Sequence, residues 1–203
     1  EKITTDQNKS LYEINKEVYR FLRYGIKVKE SDENDSQRVW LIDWKNPLNN
    51  HFYVAEEVTI NSQNTKRPDI VLYVNGIALV VLELKRSSVS VEQGIRQNLD
   101  NQKSEFIKNF FATIQLVMAG SDSAGLRYGV IDTPEKYYLT WKENTSIQKP
   151  LDSHLYAMCQ KERLLEIIHD FIVFDEGIKK ICRHNQYFGV KKAQESLRKE
   201  EGG

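Results

Sequence analysis

The sequence predicts an α/β fold with a mixed central β-sheet, flanked by helices and followed by a C-terminal helical segment. Several runs of β-forming residues precede residue 150, and an amphipathic helical pattern interrupts them after residue 90. After Lys149-Pro150 the pattern becomes helical and heavily charged. We therefore predict an α/β domain over residues 1–150 and a helical region over residues 151–203.

The first element is a helix within residues 8–24. Leu11, Ile14, Val18 and Leu22 recur at helical spacing, and Gly25 follows as a stop signal. Strand-like runs come next, and the Asn75-Gly76 pair between two of them is typical of a hairpin. These runs are VWLIDW, FYVAEEVTI, RPDIVLYVNGIALVVLELK, ATIQLVMAG, LRYGVI and KYYLTW.

Two helical patterns complete the element list. Ser90 is suited to cap a helix that reaches about residue 103, with Val91, Ile95 and Leu99 on one stripe. Near the C-terminus, residues 161–174 and 176–200 both read as helical and charged. The chain starts without Met and stops at Gly202-Gly203, so we expect it to be a fragment of a longer protein.

Composition narrows the function classes. The 29 basic and 29 acidic side chains balance, which excludes a globally basic nucleic-acid coat but allows a local basic cleft. Cys159 and Cys182 stand far apart with no CxxC pair, which argues against a disulfide framework or zinc site and favours a reducing cytoplasm. The apolar runs are much shorter than the roughly 20 residues of a spanning helix, so no membrane partner is expected.

Three charges in an otherwise apolar stretch form the candidate site. Asp69, Glu83 and Lys85 are the residue types that metal-dependent phosphodiester hydrolysis requires. Two carboxylates offer hard oxygen ligands for Mg²⁺, and a lysine stabilises charge or positions a water. The alternative is structural: Asp69 starts a strand, and Glu83 and Lys85 form an exposed pair worth well under ~1 kcal/mol.

The register of the hairpin decides whether the three side chains meet. Glu83 and Lys85 are two residues apart and therefore share a face of their strand. A two-residue loop at Asn75-Gly76 would pair Asp69 with Leu82, on the wrong face. A three-residue loop that also includes Val74 would pair Asp69 with Val81, diagonal to Glu83 at about 7–8 Å. The metal-site hypothesis therefore requires an odd-length loop or a bulge.

The chain resembles the N-terminal nuclease domain of the R subunit of type I restriction-modification enzymes, within the PD-(D/E)xK superfamily. Ordered blocks along nearly the whole sequence carry the resemblance. They are NKEVYRFL followed by YGIKV, VWLIDWKNPLNNHFYV, RPDIVLYVNGIALVVLELK, RYGV with YYLTWKE, and FIVFDEGIKKICRHNQYF. The fold that this implies is restriction-endonuclease-like, with residues 151–203 a helical linker that begins an ATP-driven motor.

The resemblance also implies roles for individual residues. Asp69 and Glu83 would hold Mg²⁺, Lys85 would be the catalytic lysine, and Gln97 would match the glutamine of a Gln-x-x-x-Tyr element. The tyrosine position of that element is Asn101 here. Gln186 would be an adenine contact of the full-length motor, although its alternative is a helix-start residue.

The implied function is cleavage of double-stranded DNA in a cytoplasmic complex with modification and specificity subunits. The sequence has no G-x-x-x-x-G-K-[ST] phosphate loop, so this chain should not hydrolyse ATP. Without the motor, we expect it to bind duplex DNA weakly. The open alternatives are a non-catalytic docking module of the same fold and a stand-alone repair nuclease.

Weaker candidates surround this site. A first-helix glutamate sometimes adds a metal ligand in the superfamily, so Glu13 and Glu17 are candidates, with a solvated helix face as the alternative. The four histidines lack ligand spacing and are not assigned to a metal. A phosphate-binding rim could be lined by basic residues, with solvated surface as the default for each. The basic residues are Arg67, Arg86, Arg96 and Lys103.

Overall fold

The computed structural model describes residues 9–29 and 36–201, so both chain ends and the segment 30–35 lie outside the described residues. The helices are α1 (Leu11–Tyr24), α2 (Val91–Asn101), α3 (Pro150–Cys159), α4 (Lys161–Asp170) and α5 (His184–Glu201). The strands are β1 (Ile26–Val28), β2 (Gln37–Val39), β3 (Phe52–Glu56), β4 (Ile70–Val74), β5 (Ile77–Leu84), β6 (Leu116–Ser121), β7 (Gly125–Gly129), β8 (Ile172–Asp175) and β9 (Ile178–Ile181).

A five-stranded sheet in the order β3-β4-β5-β6-β7 forms the centre of the fold. The β5–β6 pair is parallel and the other three pairs are antiparallel. Parallel neighbours need a crossover connection, and α2 lies in the segment that joins β5 to β6. The prediction of a mixed central sheet flanked by helices is therefore confirmed.

Helix α1 ends at the predicted Gly25 and begins at Leu11, inside the predicted range of residues 8–24. The Ser10 side chain accepts a hydrogen bond from the Glu13 backbone N–H, and the Glu13 carboxylate accepts one from the Ser10 backbone, which completes a capping box. Gly25 ends the helix at φ 71°. Glu17 forms an ion pair with Lys9 at 3.0 Å. Glu13 therefore caps α1, and Glu17 forms an ion pair on the surface of the helix.

Two predicted strands are largely absent. Only Val39 of the VWLIDW run belongs to a strand, because the Asp43 carboxylate accepts the backbone N–H groups of Lys45 and Asn46 and turns the chain. The KYYLTW run makes a single bridge, between Leu139 and Tyr128. Both predictions were wrong because alternation of apolar residues alone does not supply a pairing partner.

The C-terminal region contains a hairpin where we predicted continuous helix. Strands β8 and β9 are joined by Glu176 and Gly177, both with positive φ. That turn conformation twists in the sense that suits a hairpin. The helical prediction is correct for α4 and α5 but wrong for residues 172–181.

The C-terminal helices pack on the same hydrophobic core as the sheet. Met158 of α3, Ile168 of α4 and Tyr187 of α5 belong to one buried cluster with Leu82 of β5 and Trp141. The assignment of residues 151–203 to a motor lead-in stays a prediction. Within residues 9–29 and 36–201, no helix combines the length and apolar character that a membrane crossing requires.

A buried lysine attaches the β8–β9 hairpin to the N-terminal part of the fold. Lys179 donates hydrogen bonds to the side-chain oxygens of Asn15 at 2.8 Å and Gln115 at 2.7 Å. The Asn15 amide in turn donates to three backbone carbonyls between Phe111 and Ile114. Burial lowers the pKa of Lys179 well below its usual range. The buried Lys179 side chain therefore has its hydrogen bonds satisfied by neutral amide oxygens and not by a carboxylate.

Candidate active site

A bulge sets the register of the β4–β5 hairpin. Val74 pairs with Ile77 across a two-residue turn, in which Asn75 and Gly76 have φ values of 50° and 80°. Beyond Tyr73–Ala78 the register shifts, because Leu79 is an extra residue on β5. The predicted three-residue loop was wrong, and so was the pairing of Asp69 with Val81, because Val81 pairs with Val71. The alternative of a bulge was correct.

The shifted register brings Asp69 beside Glu83. Ile70 pairs with Leu82. If the same register continues by one residue, Asp69 lies opposite Glu83, and directly opposite residues have their side chains on the same face of the sheet. The Asp69 carboxylate also accepts a hydrogen bond of 2.7 Å from the Leu84 backbone N–H. Asp69 is half-buried, and the Glu83 side chain is fully buried. The structure therefore places both predicted metal ligands together.

Gln97 joins the lysine to the glutamate. Its amide nitrogen donates to Glu83 Oε2 at 2.7 Å, and its amide oxygen accepts from Lys85 Nζ at 2.7 Å. Lys85 Nζ lies 3.8 Å from Glu83 Oε2. The four residues predicted as catalytic, Asp69, Glu83, Lys85 and Gln97, thus form one connected cluster. Gln97 projects from α2, which packs against β5 and β6.

A glycine that sequence reasoning missed lets α2 approach this cluster. A Cβ added at Gly94 would lie 3.1 Å from the Ala119 Cβ and 3.5 Å from the Glu83 Cβ. Any larger side chain would push α2 away from β5 and β6 and move Gln97 with it. The only signal in the sequence is a small residue on the apolar stripe, three positions before Gln97.

The surroundings of Glu83 disfavour the charged form of its carboxyl group. Burial, and then the neighbouring Asp69 carboxylate, raise the pKa of Glu83 to about 8, against the opposing effect of Lys85. Glu83 Oε1 is buried and has no hydrogen-bond partner among the residues that the structure describes. A buried carboxylate oxygen without a donor is costly unless a cation or a proton satisfies it.

The donor set fits a hard divalent cation. Two carboxylates face one another, one oxygen of Glu83 has no partner, and Mg²⁺ prefers oxygen ligands and keeps several waters. Among residues 9–29 and 36–201 there is no group of three or more His, Cys, Asp or Glu suited to hold a metal. Asp69 and Glu83 would therefore hold the ion with waters or substrate oxygens completing its shell.

Three of the four predicted rim cations are bound to carboxylates. Arg67 lies 3.4 Å from Glu57, Arg96 lies 3.0 Å from Glu135, and Lys103 lies 2.6 Å from Asp100. Arg86 is exposed just after Lys85. Three of the four side chains predicted to bind phosphate are therefore already paired with an acidic side chain, which reduces the positive charge that they offer to DNA.

The remaining candidates have structural contacts. Gln186 is exposed in the first turn of α5, where its side-chain oxygen accepts the Arg183 backbone N–H at 2.8 Å. His154 accepts the Leu126 backbone N–H at 3.0 Å, and His169 pairs with Asp170. Asn101, at the position where the resemblance expects tyrosine, is buried, and its side-chain oxygen has no hydrogen-bond partner within residues 9–29 and 36–201.

Comparison with known proteins identifies the family of this chain. A family model described as the type I restriction enzyme R protein N terminus matches residues 1–136. The chain belongs to this family. The match to the R protein N terminus spans Asp69, Glu83, Lys85 and Gln97.

Curated relatives carry the same family name. The chain is 31% identical over 202 residues to the type I restriction enzyme HindI endonuclease subunit of Haemophilus influenzae, across 90% of this chain and 19% of that protein. It is 28% identical over 165 residues to the SsaAORF53P endonuclease subunit of Staphylococcus saprophyticus, across 79% and 17%. It is 27% identical over 154 residues to the EcoprrI endonuclease subunit of Escherichia coli, across 72% and 49%. The chain thus spans about a fifth of the length of the Haemophilus relative.

Proposed function

We propose that this chain is the Mg²⁺-dependent endonuclease domain of a type I restriction enzyme R subunit and cleaves double-stranded DNA. The observation that carries the proposal is Glu83, a fully buried carboxylate beside Asp69 with one oxygen that has no hydrogen-bond partner in the described part of the chain. Relatives named as endonuclease subunits support the reaction class.

Each residue of the cluster has a distinct task in this proposal. Asp69 and Glu83 bind the ion, and the Leu84 N–H fixes one oxygen of Asp69. Lys85 neutralises charge that develops on the phosphate, and Gln97 holds its ammonium at 2.7 Å. Bound Mg²⁺ would act as a Lewis acid on the scissile phosphate and would lower the pKa of the attacking water.

The two alternatives explain less of the geometry. A docking module has no use for a buried carboxylate with a raised pKa, since a glutamine would fill the same volume at lower cost. A stand-alone repair nuclease is disfavoured because the Haemophilus influenzae and Staphylococcus saprophyticus relatives are endonuclease subunits about five times longer than this chain.

The whole protein would act in a larger assembly. We propose that modification and specificity subunits supply DNA recognition in the cytoplasm, and that an ATP-driven motor outside this chain moves the DNA. Gln186 would contact the adenine of that ATP. Holding DNA near the site raises its local concentration, so cleavage should require the assembled enzyme.

The test is made in the full-length R subunit, assembled with its partners. Lys85→Met, Asp69→Asn and Glu83→Gln should each abolish DNA cleavage while ATP hydrolysis continues, because the phosphate loop lies elsewhere. Lys180→Met is the matched control, since Lys180 is an exposed lysine paired with Asp175 on β8. Calorimetric titration with Mn²⁺ should lose its binding isotherm in Asp69→Asn and Glu83→Gln.

The result that contradicts the proposal is specific. Full cleavage by Lys85→Met, or Mn²⁺ affinity unchanged in Glu83→Gln, would remove the nuclease assignment. Joint loss of ATP hydrolysis and cleavage in all three variants would indicate a structural role for the cluster.

A further inference from the structure

The loop before Asp69 is attached to the segment after α2. Ile60 and Lys66 form a two-way backbone bridge within this loop. The Asn64 side chain donates to the Glu105 carbonyl oxygen at 2.8 Å. Lys66 Nζ lies 4.1 Å from the centroid of the Phe106 ring. A polar contact and a cation–π contact therefore join the two segments, and the first of them leads directly into Asp69.

Lys66 differs from the neighbouring basic residues in what it contacts. Arg67 and Lys103 each have a carboxylate partner. In the described part of the chain no carboxylate lies within ion-pair distance of Lys66, and the Glu105 carboxylate instead interacts with Lys103 and Ser104. The face of an aromatic ring attracts an ammonium group without cancelling its net charge. Lys66 is therefore held in position by the Phe106 ring, with no described carboxylate to neutralise it.

The position of Lys66 suits a phosphate close to the cleavage centre. Lys66 is three positions before Asp69, and an extended chain covers at most about 3.3–3.6 Å per residue, so the two Cα atoms are within about 10 Å. One strand of a duplex advances about 3.4 Å per nucleotide. A DNA strand with one phosphate at Asp69 and Glu83 would thus carry another within reach of Lys66, about one to three nucleotides away.

We propose that Lys66, seated on Phe106, binds a DNA backbone phosphate next to the scissile one and aligns the strand on the cluster. This inference rests on the proposed nuclease function. The contact is to the backbone, so it strengthens binding equally for all sequences. The ring of Phe106 limits where the ammonium can point, and the Asn64 contact limits how far the loop can move.

The experiment measures duplex binding by the 203-residue chain across 20 to 200 mM salt, at protein concentrations into the millimolar range. Ca²⁺ replaces Mg²⁺ so that DNA is held without being cut, and fluorescence anisotropy reports the affinity. Lys66→Met should reduce the slope of log K against log salt by about 0.9, the value for one lost phosphate contact. Lys66→Arg should restore the slope. Phe106→Leu should weaken binding about two- to fivefold with the slope retained, since the charge remains.

Lys103→Met is the matched control, because this lysine is nearby but bound to Asp100. Its slope should equal that of the unaltered chain. An unchanged slope in Lys66→Met overturns the inference, as does the absence of measurable duplex binding by the unaltered chain at 20 mM salt. Mn²⁺ titration separates the two proposals. If Lys66→Met leaves the salt slope unchanged while the unaltered chain binds Mn²⁺ normally, only the phosphate contact is refuted. If the unaltered chain does not bind Mn²⁺, the nuclease site is refuted.

Discussion

Replacing Glu83 by glutamine should stabilise the metal-free protein and at the same time destroy its metal site. The substitution keeps the shape of the side chain. It offers an oxygen to the Gln97 amide and an N–H₂ group to the Asp69 carboxylate, while it removes the buried negative charge. In the unaltered protein the pKa of Glu83 is raised to about 8 by burial and by Asp69.

The size of the effect follows from linkage between protonation and folding. A carboxyl group with a raised folded-state pKa stabilises the fold fully below its unfolded value of about 4.5, and this stabilisation is lost as the pH rises towards about 8. Each pH unit in that window costs up to ~1.4 kcal/mol. At pH 7.5 the loss is therefore up to about 4 kcal/mol, and for a chain of this length each kcal/mol changes Tm by about 2–4 °C.

The assay is urea and thermal unfolding of the metal-free chain at pH 5 and pH 7.5. Glu83→Gln should match the unaltered chain within about 1 kcal/mol at pH 5 and exceed it by about 2–4 kcal/mol at pH 7.5. Glu56→Gln, an exposed residue of β3, is the control. Adding Mn²⁺ at 100 times its Kd should stabilise only chains that retain Glu83, by about 2.7 kcal/mol. A difference between Glu83→Gln and the unaltered chain that does not change with pH would refute the reasoning.

Three further substitutions test the supports of the fold and site. Gly94→Ala should reduce cleavage about tenfold by lifting α2 from Ala119, while the free energy of unfolding from urea melts changes by less than ~1 kcal/mol, because alanine favours the helix. Asn75→Ala should cost about 2–3 kcal/mol in the same melts with unchanged Mn²⁺ affinity, since its side chain makes three hydrogen bonds and its φ is positive. Lys179→Met should cost about 2 kcal/mol by leaving two buried amide oxygens, one of them on Gln115, without a donor; a rise in Tm would contradict this.

Elements with strong local signals could be predicted from the sequence. Helix α1 has an apolar stripe and a glycine stop, and the Asn75-Gly76 turn is specified by two residues that tolerate positive φ. The β8–β9 hairpin was missed because Ile172 to Ile181 also shows apolar spacing that fits a charged helix. Its docking depends on Lys179 contacting residues more than 60 positions away, and periodicity carries no information about such contacts.

The identity of the site residues was easier to predict than their geometry. Asp69, Glu83 and Lys85 are conspicuous because charge is rare in buried strands. Their meeting depends on Leu79, one extra residue on β5 that no local signal distinguishes from its apolar neighbours. Without that bulge, the two-residue turn would set Asp69 opposite Leu82 and on the other face of the sheet.

The cost of Glu83 is itself an argument about function. A central strand buried on both faces is most stable with apolar side chains, and the rest of β5 is apolar. Glu83 instead brings a carboxylate whose charged form is disfavoured by burial and by Asp69. Lys85 lies 3.8 Å away and offsets only part of this cost, because its nearer partner is Gln97. A divalent cation would favour the charged form of both carboxylates at once, so this arrangement is expected where binding a cation is the purpose of the site.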